Sequence, residues 1–81
     1  MRSEAEIREQ LRTFVRHHAG GVDITDDTEL FTLRVLRSVH LPELIILLER
    51  LRGAPIDVEQ LRIGDFDGID AMMARFGAVQ P

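Results

Sequence analysis

Between Ser38 and Pro55 the chain places Leu41, Leu44, Ile45, Leu48 and Leu51 on one face of a helix, then breaks the pattern with Gly53 and Pro55. No other feature limits the fold so tightly, because an apolar stripe of this kind has to be covered by other elements before it leaves water. The spacing predicts a helix from about Ser38 to Arg52. It ends at a glycine that can take the left-handed conformation, followed by a proline that cannot continue. Pro42 falls inside or just past the first turn and has no N–H to give, so the opening of this helix is expected to be distorted or late. Arg50 and Arg52 stand near its C-terminus, where cations meet the negative end of the helix dipole.

The covering elements are helical as well. Ser3 followed by Glu6 is a capping-box signature, and Ile7, Leu11, Phe14, Val15 and His18 then share one face, which predicts a helix from about Ser3 to His18 with Gly20-Gly21 as its end. From Val22 to Arg37 the residues Ile24, Leu30, Phe31, Leu33, Val35 and Leu36 are too apolar to be left in water, so this stretch reads as an ordered loop lying against the bundle. Asp26, Asp27 and Thr28 are placed to cap a short turn of helix through Leu30 and Phe31, which would bury both side chains. Ile56 to Leu61 fits a short third helix with Asp57 as N-cap and Gln60 at the reciprocal position. Ile69, Met72, Met73 and Phe76 share the face of a last helix closed by Gly77, with the two methionines filling gaps in the core. There is no strand pattern, repeat or low-complexity segment. The expected fold is all-α: one domain over 1–81, a four-helix bundle of three main helices and one short one, with a long ordered first loop.

Composition narrows the function. A chain of 81 residues has little surface left over for a self-contained catalytic cleft, so a carrier or binding module fits better than an enzyme and no catalytic residue is assigned. Cysteine is absent, which removes disulfides, thiolate metal sites and cysteine nucleophiles. The net charge of -4, with ten arginines interspersed among fourteen acids, argues against nucleic-acid binding. No apolar run is long enough to cross a bilayer, and the acidic start Met1-Arg2-Ser3-Glu4-Ala5-Glu6 is unlike a signal peptide, so a cytoplasmic protein with no membrane association is expected.

Other side-chain chemistry is sparse. His17 and His18 are adjacent and diverge on a helix, which suits a solvated helix end better than a metal pair. His40 stands two residues from Ser38, the wrong spacing for a shared helical face. Asp23, Asp26, Asp27 and Glu29 lack the alternation and glycine of a calcium loop and read as a polar loop with capping duty. No metal site is assigned.

From Leu30 the chain runs LFTLRVLRSVHLPELIILLERLRGAPI, and here it resembles the acyl and peptidyl carrier protein family. In that family a Leu-Phe pair precedes a turn, then an Asp-Ser-Leu triplet, then a helix rich in Glu, Leu and Ile that ends before a Gly-x-x-Ile segment. Leu30, Phe31, Ser38, Glu43, Leu44, Leu48, Glu49, Gly53 and Ile56 fall in register. Asp27-Thr28-Glu29 upstream and Asp65 to Met72 downstream extend the similarity over nearly the whole chain. The resemblance implies an acyl-carrier-protein-like bundle whose Ser38 receives 4'-phosphopantetheine from coenzyme A through a phosphopantetheinyl transferase. An acyl- or aminoacyl-activating enzyme would load the arm, and acyltransferase- or ketosynthase-type enzymes would draw on it. The last-helix segment looks most like discrete carriers of specialised metabolism, of polyketide or nonribosomal-peptide type.

Three positions depart from the family pattern: Arg34 stands where glycine is usual, Arg37 where aspartate is, and Val39 where leucine is. Arg37 reverses the charge that transferases generally read, while favouring the finished phosphodiester. Arg37, Val39, His40, Glu43 and Ile46 are the expected partner surface, with Leu47 a further candidate for the helix's exposed apolar edge. A monomer is expected of a module that must visit several enzymes. The alternative is a carrier-like adaptor that keeps the bundle, is never modified and acts through protein contacts alone.

Overall fold

Ser3 opens the first helix as the capping box requires, its Oγ accepting the Glu6 N–H at 3.2 Å. In the computed structural model, which describes residues 3–76, α1 spans Glu4–Ala19 and ends at Gly20, whose φ of 61° is the left-handed value that glycine takes freely. Helix α2 spans Leu41–Arg52 and ends in the same way at Gly53, and α3 spans Ile69–Phe76. Among the described residues there is no strand, and α1 packs against both α2 and α3. The fold is all-α, with three main helices.

The core joins Ile7, Leu11 and Val15 of α1 to Leu44, Leu48 and Leu51 of α2 and Ile69, Met72 and Phe76 of α3. The connections contribute Leu30, Leu36, Ile56 and Phe66, and Met73 packs at the edge. Each large apolar side chain withdrawn from water contributes about 1.5–3 kcal/mol. The long loop is therefore held by the same force as the helices.

An ionic cluster pins that loop to two of them. Asp26 accepts Arg12 Nε at 2.8 Å on one oxygen, and Arg12 Nη2 at 2.7 Å and Arg8 Nη1 at 2.6 Å on the other. Arg8 Nη1 also reaches Asp70 Oδ1 at 2.6 Å, and the Asp70 N–H donates to the Asp26 carbonyl at 2.9 Å. Arg12 first, with Arg8 in support, holds the Asp26 carboxyl down to about 2 against the opposing effect of burial. Asp26 thus anchors the loop to α1 and to the start of α3, in place of the capping duty expected of it.

Four expectations are corrected. The short helix over Ile56 to Leu61 is a single 3-10 turn at Val58–Gln60, and a further 3-10 turn follows at Ile63–Phe66. Asp57 does accept the Glu59 N–H at 3.0 Å, but with Pro55 just upstream and Gly64 just downstream the segment does not extend into an α-helix. The stretch from Asp26 to Phe31 forms turns and no helix. Leu33 is 64% exposed rather than packed, because the Leu36 N–H returns to the Leu30 carbonyl at 2.9 Å, which turns Leu30 and Leu36 inward and carries Leu33 at the outer apex. His18 is half-buried rather than solvated: its ring lies 4.7 Å from Phe14 and 4.4 Å from His40, centroid to centroid. Gly77, expected to close the last helix, lies outside the described residues.

Candidate functional site

The segment that carries Ser38 owes its shape to Pro42. An α-helix beginning at Ser38 would bond the N–H of residue 42 to the Ser38 carbonyl, and proline has none to offer. The Leu41 N–H takes that carbonyl instead, so Ser38–His40 is a 3-10 turn and α2 proper begins at Leu41 with Pro42 in its first turn. The residue in extended conformation before the turn is Arg37, with φ -126° and ψ 168°. Ser38 therefore lies one residue inside the N-cap.

The capping role passes to His40. Its Nδ1 accepts the Arg37 N–H at 3.0 Å, while its own N–H donates to the Arg37 carbonyl at 2.8 Å. Ser38 is left exposed, and among the described residues nothing hydrogen-bonds its hydroxyl. A primary alcohol in that setting has its lone pairs and proton available to an incoming reagent.

The preceding turn is set by a residue distant in the sequence. Asp67 accepts the Phe31 N–H at 2.6 Å, the Thr32 N–H at 3.2 Å and the Thr32 hydroxyl at 2.6 Å. Burial alone pushes the Asp67 carboxyl up, and the bonds from Thr32 and Phe31 together outweigh it, so its pKa lies below the ordinary carboxylate value. The turn closes at Arg34, whose N–H donates to the Phe31 carbonyl at 3.2 Å and whose φ of 61° is left-handed.

Two grooves flank the turn. One, of about 620 Å³, runs between the end of α1 and the Ser38 turn and includes His18, Val22, Leu33, Arg34, Arg37 and Val39. The other, of about 400 Å³, includes Ser38 itself with Phe31, Leu36, Arg34, Arg37 and Ile63. Both arginines border both grooves. Of the residues expected at the partner surface, Arg37, Val39 and Glu43 are exposed around the turn and His40 is half-buried beneath it. Ile46, 55% exposed, lies further along α2, where with Phe14, Leu47 and Arg50 it lines a separate shallow groove. Glu43 Oε2 stands 3.6 Å from His18 Nε2 of α1.

Two contributors had weak signals in the sequence. Asp67 acts across about 35 positions, and no local pattern announces it. His18 was legible as a member of the apolar face of α1, and the doublet with His17 obscured it. Among the described residues no group of three or more His, Cys, Asp or Glu side chains is placed to hold a metal ion, and no helix is long and apolar enough to cross a membrane. Comparison with family models, with curated proteins and with solved structures finds no match to this chain.

Proposed function

We propose that this chain is an acyl or aminoacyl carrier protein that presents its cargo on a phosphopantetheine arm at Ser38. The observation that carries the reading is the state of Ser38: exposed, unbonded among the described residues, and held at the first position of the turn that opens α2. The three-helix framework with its long, packed first connection is consistent with the four-helix carrier type that the sequence resembles.

The surroundings suit an esterified phosphate. Its charge would stand beside the start of α2 and near the cation of Arg37. In the attachment step Ser38 Oγ attacks the phosphorus next to pantetheine in coenzyme A, the pyrophosphate bond breaks, the nucleotide half leaves and the hydroxyl proton passes to the transferase. The arm then supplies a thiol that holds the cargo as a thioester. This chain positions the arm, while loading and transfer fall to the activating, acyltransferase- or ketosynthase-type enzymes it meets. Such a role places it in the cytoplasm, working as a monomer in a biosynthetic pathway of the polyketide or nonribosomal-peptide kind.

Co-expression with a broad-specificity phosphopantetheinyl transferase tests the reading by intact-mass spectrometry. One arm is expected on the wild-type chain and none on Ser38→Ala. Unmodified protein with several such transferases, the Arg37→Asp variant included, would overturn it. The cationic Arg37 favours one second reading, an unmodified carrier-like adaptor. In that case Ser38→Ala leaves pathway output unchanged while disruption of α2 abolishes partner binding.

A further inference from the structure

Strain at one arginine and unspent charge on two point to a docking surface. Arg34 is the one non-glycine residue with positive φ among those described, at 61°. Glycine holds that conformation without penalty, so a long cationic side chain kept there marks a position where the side chain itself is used. Arg8, Arg12 and Arg75 all pair with carboxylates, yet neither Arg34 nor Arg37 has an ion-pair partner among the described residues. Both border the two grooves beside Ser38, and the acid that shares the larger groove with them, Asp23, pairs with neither.

The apolar part of the patch identifies what kind of occupant fits. Leu33 is 64% exposed and Val39 74% exposed, on either side of Arg34 and Arg37 in the chain and lining the same groove. A small anion would engage the cations and leave Leu33 and Val39 in water. A nucleic acid would need a longer cationic track than two arginines on a chain of net charge -4. A protein face with acids around an apolar spot satisfies both halves, in keeping with the more apolar core and the enrichment of arginine at protein interfaces.

We propose that Leu33, Arg34, Arg37 and Val39 form the docking surface for an acidic, apolar-centred face on the enzyme that acts at Ser38. Its charge is opposite to that of a carrier with aspartate before the serine. The inference rests on Ser38 being the point of attachment.

The test crosses carrier charge with enzyme charge. A broad-specificity phosphopantetheinyl transferase with a basic docking face, and a variant of it with those basic residues replaced by glutamate, are each given coenzyme A and the full-length chain. The carriers are wild type, Arg34→Gly and the double variant Arg34→Glu/Arg37→Asp, and initial rates are read by intact mass. The basic-faced enzyme is expected to modify the double variant about tenfold faster than wild type, and the acidic-faced enzyme to show the reverse preference, both fading at molar salt. Arg34→Gly, which relieves strain while removing one cation, moves both rates the same way by a smaller factor. A misfolded variant would instead lose rate with both enzymes.

Equal or slower modification by the basic-faced enzyme of a double variant whose circular dichroism matches wild type overturns the docking surface and leaves Ser38 as the attachment site. If no carrier is modified by either enzyme, the attachment site fails and the docking surface with it. A salt-sensitive gel shift of a single-stranded oligonucleotide by wild type, lost in the double variant, would overturn the proposal in favour of nucleic acid.

Discussion

His40 Nδ1 accepts the Arg37 N–H at 3.0 Å, closing from its far end the turn on which Ser38 sits. An imidazole nitrogen accepts only when it carries no proton, so the ring must be neutral with its hydrogen on Nε2. Two outcomes follow. Long-range nitrogen–proton NMR correlations should show the Nε2–H form, and a ring protonated at Nδ1 would contradict the bond. His40→Ala should remove the acceptor, lower hydrogen-exchange protection at the Arg37 amide, and reduce global stability by about 1 kcal/mol at most, because the bond is exposed.

Arg34→Gly should stabilise the chain. The left-handed backbone at Arg34 costs an L-residue roughly 1 kcal/mol, whereas glycine adopts it freely. The greater freedom of glycine in the unfolded chain offsets part of that relief. A net gain of up to about 0.5 kcal/mol is expected in urea unfolding with an unchanged denaturant slope. A loss would mean that the Arg34 side chain contributes to the fold itself rather than to an encounter.

How much of this was legible in the sequence depends on the range of the interaction concerned. Local patterns carried far: the Ser3 cap, the stripe from Leu41 to Leu51, the glycine stops and the late start imposed by Pro42 all follow from residues within a turn of one another. Leu30 was placed in the core on its apolarity alone, and it is fully buried. Leu33 carries the same side chain three positions on and points outward, because a loop has no period and the returning Leu36 N–H decides which residues face in. Asp26 was read by its local capping chemistry, yet its contacts come from Arg8 and Arg12 on α1 and from the Asp70 N–H, none of which a local window contains. Ser38 stands out in the sequence only through its neighbours' resemblance to a family, while the reason its hydroxyl is unbonded lies in His40 taking over the cap.

The Asp26 cluster makes stability fall in acid. Its carboxyl lies at about 2 in the folded chain, held there by Arg12 and then Arg8, against about 3.9 for an unfolded aspartate. A folded-state value below the unfolded one means that the unfolded chain binds the proton more readily, so the contribution is fully present above about pH 5 and is lost as pH falls toward 2. Asp67, also lowered, adds to the same trend. Urea midpoints measured from pH 7 to pH 2 should decline over that range, and Asp26→Asn should flatten the decline while lowering stability at pH 7 by about 1–2 kcal/mol. An unchanged acid slope in Asp26→Asn would show that the cluster is not formed in solution.

Gly68 should accept a side chain only at a cost in backbone strain, in contrast to Gly64 four residues earlier. Its φ of 153° belongs to a region that L-residues rarely enter, and a Cβ built there would sit 3.4 Å from the Thr28 carbonyl oxygen and 3.7 Å from that of Asp26. The Asp70 N–H donates to the same Asp26 carbonyl at 2.9 Å. Gly68→Ala therefore adds backbone strain, with an expected loss of about 1–3 kcal/mol. Gly64 has no positive φ and nothing within 4 Å of where its Cβ would be, so Gly64→Ala should be neutral or stabilise by up to about 1 kcal/mol through the unfolded state. Thermal unfolding of the two variants side by side separates the effects. Equal stability would mean that Gly68 does not hold this backbone conformation in solution.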